Sequence, residues 1–341
     1  MPSIVERTQS LKREDISNLM IMAKADETPF ISMCRKGDEP ENTLFEYPID
    51  IPATPKIKGV VDEKDADTFE NFAENRNRLQ ARVQIFERKP KVSRLANKVS
   101  NVAGVGKGKE FARSVAKAMV ATKLGMESRC LSNDDSCADD GSDGYETRGL
   151  GVWIQSTAQT DLPVPAAFLT PAGNIYTGAT LADFSEADFR AMLQSRWEAI
   201  GSKGQMVAFC GADFQAHIDD WSIYADTVAN KTVIRNMNNE ETKHTITSMV
   251  QMLVTSFGEV ELYPHRWLLN TVSGEDAVAT ANLSDKGALI LDMDLIEARF
   301  SQQPTKHEHE NKGGGPRATI EAIMGLACKN PLAHCKVAPS G

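Results

Sequence analysis

The 341-residue sequence predicts an α+β fold, and three observations carry the prediction. They are a long polar stretch ending in strand-like alternation, one long amphipathic helix, and a downstream region where short helices and strands alternate as in compact mixed domains. With 41% hydrophobic and 25% charged residues, the chain has the composition of a folded protein with a sizeable core. Its formal charge of -9 argues against a surface built to neutralise phosphates, so direct DNA binding is not expected as its main task. The opening residues lack the apolar core of a signal peptide. No stretch approaches the ~18 apolar residues of a membrane span, and synthesis in a reducing cytoplasm is expected. Six cysteines, Cys34, Cys130, Cys137, Cys210, Cys328 and Cys335, form no CxxC pair and match no zinc spacing, so six unpaired thiols are expected.

Residues 1–42 read as an arm with a short anchor. Arg13 to Ala25 places Ile16, Leu19, Met20 and Ala23 on one helical stripe, and Thr28-Pro29 then forces the chain out of helix. An ordinary first helix of a globular domain fits these residues as well. Residues 43–92 form the extended stretch. Between Asp62 and Glu74 there are six acids and one lysine, and between Arg76 and Lys98 eight bases and one acid, so the local balance swings from -5 to +7. Within the basic half, Leu79, Ala81, Val83 and Ile85 alternate with Gln80, Arg82, Gln84 and Phe86 over Arg78 to Arg88, the period of a half-buried strand. Thr43 to Ile49 is the expected partner. A two-stranded ribbon is marginal in water and needs a surface to lie on, for which another copy of the same chain is the first candidate.

NVAGVGKGKE then invites comparison with a phosphate-cradling loop, but Asn101 and Gly108 stand where such a loop requires Gly and Ser or Thr. It reads as a flexible joint. The helix after it is expected over Lys109 to Ser132, with Phe111, Val115, Met119 and Met126 on one line. Arg113, Lys117, Lys123 and Glu127 supply charge elsewhere on a rod about 36 Å long. Thr122 interrupts the apolar line and Gly125 weakens the helix. NDDSCADDGSDG fails the calcium-loop spacing and reads as a solvated turn. Ser185 to Ile200 is a helix opened by a variant capping box with Asp188, followed by a strand at Gln205 to Cys210 and a helix at Ala212 to Trp221. Thr245 to Thr255 and Glu259 to Tyr263 read as strands. Apolar segments at Leu289 to Phe300 and Thr319 to Cys328 flank KHEHENKGGGP, which reads as an exposed connection.

Chemistry is sparse. The histidines form no HExxH, and neither a GxSxG elbow nor a GxGxxG after a strand is present. His307 and His309 could share a metal on a strand face, yet their loop-like surroundings favour a solvated turn. The four tryptophans are isolated and read as packing residues, not a base-stacking platform. No catalytic residue, cofactor site or metal site is assigned, and a non-enzymatic role is expected.

The order of arm, ribbon, glycine joint, spine helix, mixed domain and returning strands resembles the major capsid proteins of tailed bacteriophages, whose fold is shared with encapsulins and the floor of herpesvirus shells. LKREDISNLMIMAKADETPFISMCRKGDEPENTLFEYPIDIP is similar to the opening of one branch of that family, through Glu27, Thr28, Pro29 and Phe30 and then Thr43, Leu44, Phe45 and Glu46. NRLQARVQIFERKPKVS, TRGLGVWIQST, TSFGEVELYPHRWL and LILDMDLIEARF are also similar to it. The resemblance implies a tailed-phage major capsid fold with an N-terminal arm at 1–42, an extended β-hairpin loop at 43–92, a peripheral domain with a long spine helix at 93–178 and 288–341, and an axial α/β domain at 179–287. It implies self-assembly into hexamers and pentamers of an icosahedral or prolate shell, enclosing double-stranded DNA without sequence-specific binding. Scaffold, portal and decoration proteins are implied partners, and neither cofactor nor membrane is implied. Assembly in the host cytoplasm and residence in the virion follow from the same resemblance.

Candidate inter-subunit contacts are Phe30, Phe45, Arg76, Arg78, Arg82, Asp62, Asp65 and Asp67. The arm begins almost at Met1, so no large cleaved segment is expected. Lys56, Lys58 and Lys64 lie on the loop, and nothing selects one for cross-linking. The nearest alternative is an encapsulin-like cage that encloses enzymes. A soluble hydrolase with a mobile lid at 43–92 is a more distant one.

Overall fold

The computed structural model describes residues 28–53, 55–59, 76–99, 109–142, 144–221, 223–226, 231–234, 239–240, 243–244, 251–265 and 286–339. The expected arm helix at Arg13 to Ala25 and the glycine joint at 101–108 lie outside these residues. In chain order the elements begin with α1 (Pro29–Met33), β1 (Arg35–Lys36), β2 (Leu44–Ile49), β3 (Asn77–Arg88), α2 (Arg94–Val99), α3 (Glu110–Cys130) and α4 (Leu150–Trp153). Next come β4 (Ile175–Tyr176), α5 (Glu186–Ile200), β5 (Gln205–Cys210), α6 (Ala212–Asp220), β6 (Ile223–Asp226), β7 (Lys231–Ile234), β8 (Asn239–Glu240) and β9 (Lys243–His244). The chain ends with β10 (Met252–Thr255), β11 (Gly258–Pro264), β12 (Ala288–Leu291), β13 (Ile296–His309), β14 (Arg317–Cys328) and β15 (Cys335–Val337).

Two compact units divide the chain. In the smaller, whose described residues are 87–99, 109–124 and 304–321, Val115 of α3 and Ala318 and Ile320 of β14 form a small buried cluster beside Phe111, Ala118 and Met119. Thr122 is buried there. Its hydroxyl donates to the Ala118 carbonyl at 3.0 Å, which is how a polar residue is tolerated on the apolar line of the helix.

The larger unit comprises Thr28–Phe86, Gly125–Gln303 and Ala322–Gly341. One of its buried clusters gathers around a six-stranded sheet of order β10-β11-β5-β12-β15-β4. β5 runs parallel to β11 and antiparallel to β12, and all four residues of β12 are buried, as suits a strand with neighbours on both sides. Helix α5 packs Phe189, Met192 and Leu193 into this cluster. It starts where the sequence predicts, because the Ser185 hydroxyl accepts from the Asp188 N–H while the Asp188 carboxylate accepts from the Ser185 N–H. It stops at Gly201, whose φ of +74° is the left-handed conformation glycine adopts without strain. The second cluster joins β2, β3, β14 and the start of β13 to Met126 and Cys130 of α3, and includes the fully buried Trp153 and Phe209.

One expectation changes, and another is met only in the residues described. β13 continues through Lys306, His307 and His309, so the histidines lie on a strand and the connection shrinks to 310–316. Pairing with β14 overrides the local polarity, and His309 Nε2 sits 2.6 Å from the Thr319 hydroxyl. The strand expected from Thr245 is seen from Met252, and 245–250 lie outside the described residues.

His334, fully buried, supplies a pH prediction. Its Nδ1 accepts from the Asp292 N–H at 3.1 Å, and burial, with a smaller effect from Arg196, lowers its pKa from 6.5 to about 3. A lowered histidine stabilises fully above pH 6.5 and loses that contribution as pH falls toward 3, since the unfolded chain takes up the proton first. Stability should therefore begin to fall below pH 6.5, above the range in which carboxylates titrate. Urea midpoints across pH should show a shallower acid limb for His334→Gln, and an unchanged limb would refute the assignment.

Candidate assembly surface

The base of the ribbon is an antiparallel pair, β2 against β3, with a register running from Leu44 opposite Arg82 to Ile49 opposite Asn77. On the inner face Phe45, Tyr47, Leu79, Ala81 and Val83 are buried in the main core. Tyr47 also donates its hydroxyl to the Cys328 carbonyl at 2.8 Å. On the outer face Arg78 pairs with Glu46 at 3.0 Å, and hydrogen bonds from Gln80 and Arg78 hold the Glu46 carboxyl below its ordinary range. The surface beneath this part of the ribbon belongs to the same chain: the five-stranded sheet has the order β1-β13-β14-β3-β2. The base of the ribbon is thus seated within its own chain. Close approach makes the seat. A Cβ on Gly325 of β14 would come within 2.5 Å of the Phe45 ring and 2.9 Å of the Arg82 carbonyl, so only glycine lets the strands meet there.

The alternation of β3 also departs from expectation at its far end. Ile85 is 57% exposed and Phe86 is partly buried against the core. Ile85 instead lines an open groove with Val83, Tyr145 and Ile323. At the other end Ile57, in the described part of the ribbon loop, is 95% exposed.

Phe30, one of the expected contact residues, is fully buried and meets Phe209 edge to face at 5.5 Å. Phe45 is buried beneath the guanidinium of Arg299, which lies 5.2 Å from the ring centre. Arg76 pairs with Asp50 at 3.2 Å in solvent, a kind of contact that sets register and adds little stability. Arg82 makes a two-pronged pair with Asp161, at 2.9 and 3.2 Å, and this with the Ser136 hydroxyl lowers the Asp161 pKa. Asp62, Asp65 and Asp67 lie outside the described residues.

Sequence reasoning misses a buried charged network beside the ribbon. Arg148 is 1% exposed; it donates to Asp135 at 2.7 Å and to the carbonyls of Asp161 and Leu162, and lies over the Trp153 ring at 4.7 Å. Asp135 accepts in turn from the N–H groups of Thr160 and Asp161. Arg129 reaches the Thr147 and Asp135 carbonyls and Glu146. The acidic turn is therefore only half solvated: Asp139 and Asp140 are exposed, whereas Asp134 and Asp135 hold arginines. An arginine inside the apolar run TRGLGVWI was the available signal.

No disulfide joins the six cysteines in this structure; five of them are buried, and burial pushes the Cys210 and Cys335 thiols up to about 12. Among the described residues no group of His, Cys, Asp and Glu is placed to hold a metal, and no helix is long and apolar enough to cross a membrane.

Comparison with known proteins assigns the family. The model of the SU10 major capsid protein family matches residues 4–340. Among solved structures, the mature capsid of bacteriophage PhiM1 superposes with a TM-score of 0.58 at 10% identity, covering 98% of this chain and 92% of that one. The capsid of cyanophage P-SCSP1u gives 0.58 at 9%, covering 100% and 99%, and the capsid of a native GTA particle gives 0.59 at 9%, covering 97% and 96%. At such identities these likenesses speak for the fold alone. None of the curated proteins matches the sequence. With an α+β fold shared along nearly its whole length and a family match that spans it, the chain belongs to the SU10 major capsid protein family: it is a major capsid protein of the tailed-bacteriophage type.

Proposed function

We propose that subunits close into hexamers and pentamers by head-to-tail contacts, and that these build an icosahedral or prolate shell around double-stranded DNA in the host cytoplasm. The family match over residues 4–340 carries this reading. In it residues 1–42 act as an arm, 43–92 as the extended loop, 93–178 with 288–341 as a peripheral domain and 179–287 as an axial domain. The loop reaches a neighbouring copy beyond its seat on β14, bringing Asp62, Asp65, Asp67, Arg76 and Arg78 to the contact. Phe30, Phe45 and Arg82, which have partners inside their own chain, act by holding the loop and arm in place. Permanent interfaces bury roughly 2,000 to 5,000 Å² or more, and arm and loop together supply contacts at several points of each neighbour. A net charge of -9 suits a wall that encloses DNA without gripping it. Scaffold, portal and decoration proteins are proposed partners, and no catalytic task is proposed.

Electron microscopy and sedimentation of the purified protein test the reading. Closed particles many times the size of one subunit are expected. A monomer or dimer that turns over a substrate would refute it, and particles that load enzymes through a cargo peptide would favour the encapsulin-like alternative.

A further inference from the structure

Glu127 is placed where its sequence context does not predict. In a helix with charge on its other faces it reads as solvent-facing, yet it is fully buried. Its carboxylate accepts from the Phe30 N–H at 2.6 Å and the Ile31 N–H at 2.8 Å, in the first turn of α1. Its Oε1 also lies 2.9 Å from Nε2 of His265, the residue that follows β11. The backbone of His265 is fixed independently, its N–H donating to the Cys210 carbonyl at 2.8 Å. The Phe209 ring meets both partners edge to face, Phe30 at 5.5 Å and His265 at 5.7 Å. One carboxylate thus joins α1, α3 and the end of β11, with partners 97 and 138 residues away along the chain.

Removing a carboxylate from water is costly, and an apolar side chain would serve packing alone at least as well. What the carboxylate adds is position. Backbone N–H groups have no rotamer to change, so two of them on one carboxylate fix the point at which residues 28–31 join the spine helix. That point is the root of the proposed arm. An arm held at a fixed root reaches a neighbour's surface at a higher effective concentration than one whose root wanders.

We propose that Glu127 is a positioning residue for shell assembly, pinning the root of the N-terminal arm to the spine helix through the Phe30 and Ile31 amides, with His265 closing the other side of the carboxylate. This rests on the reading of the chain as a shell subunit whose arm crosses to a neighbour.

The test uses full-length wild type, Glu127→Gln and Phe214→Leu, the last a core change in the cluster around α5. Glutamine keeps the size but replaces one acceptor oxygen with a donor, so one backbone N–H loses its partner. For Glu127→Gln the expected results are cooperative melting, amide exchange about tenfold faster in the peptide spanning Phe30 and Ile31, and closed shells reduced about tenfold or more. Phe214→Leu, at a comparable loss of melting temperature, should still assemble. The proposal is overturned if Glu127→Gln closes shells like wild type, if exchange at Phe30 and Ile31 is unchanged, or if Phe214→Leu loses shells equally. Should Glu127→Gln fail to fold, His265→Gln carries the test, with faster exchange of the same peptide and fewer shells expected and wild-type behaviour overturning it. Failure of the wild type itself to form particles would instead refute the shell reading.

Discussion

Deleting residues 55–75 is expected to leave a folded subunit that no longer closes shells. β2 ends at Ile49 and β3 begins at Asn77, which face each other in the register, so residues 50–54 and Arg76 suffice to connect them. Everything that seats the ribbon base survives: the buried inner face, the Tyr47 bond to Cys328, the Arg82 pair with Asp161, and the glycine approach at Gly325. What disappears is residues 55–75 of the loop, among them the exposed Ile57 and the acids Asp62, Asp65 and Asp67. Melting should shift by only a few degrees, about what ~1 kcal/mol produces in a domain of this size. Shell yield by sedimentation should fall about tenfold or more, because each lost contact is one arm of a multivalent set. Normal shells from the deleted chain would remove the loop from the assembly mechanism and leave the fold untouched.

The contrast between seat and tip also shows what the sequence made legible. α5, β5 and β3 were readable because their signals are local: a capping pair three residues apart, an apolar run bounded by turn residues, a two-residue alternation. The neighbour of the ribbon was not. β14 follows β3 by more than half the chain, and the mark of their contact is the absence of a side chain at Gly325, which in sequence is one glycine among 23. Charged residues misled for a related reason. Glu127 and Lys123 stand one helical turn apart and look alike as letters; only the amides of Phe30 and Ile31, brought in from far away, make one of them a core residue. Local polarity alone points to a turn at His307 and His309, and pairing with a long partner strand overrides it.

Arg148→Met should be the most destabilising single substitution in the network beside the ribbon. Methionine fills much of the same volume, so the loss comes from partners, not from packing. Asp135 keeps its charge in a partly buried site without its nearest cation, and the carbonyls of Asp161 and Leu162 lose a donor. Leu162 sits at φ +42°, a left-handed conformation that costs about 1 kcal/mol or more in a non-glycine residue, and the Arg148 guanidinium is one of the contacts holding it there. Breaking a buried pair from one side costs about 3–5 kcal/mol, against a total stability of ~5–15 kcal/mol for a typical domain. Because Asp135 accepts from the Thr160 and Asp161 amides, and Asp161 in turn grips Arg82 of β3, the damage should spread to the ribbon base. Two measurements distinguish this chain of support from a local defect. Denaturant midpoints of Arg148→Met and Arg82→Met should combine non-additively in the double variant, since both act through Asp161. Adding Asp135→Asn to Arg148→Met should restore part of the loss by removing the orphaned charge. Additive losses with no restoration would mean that Arg148 and the ribbon are held independently, and that the network shares only a neighbourhood.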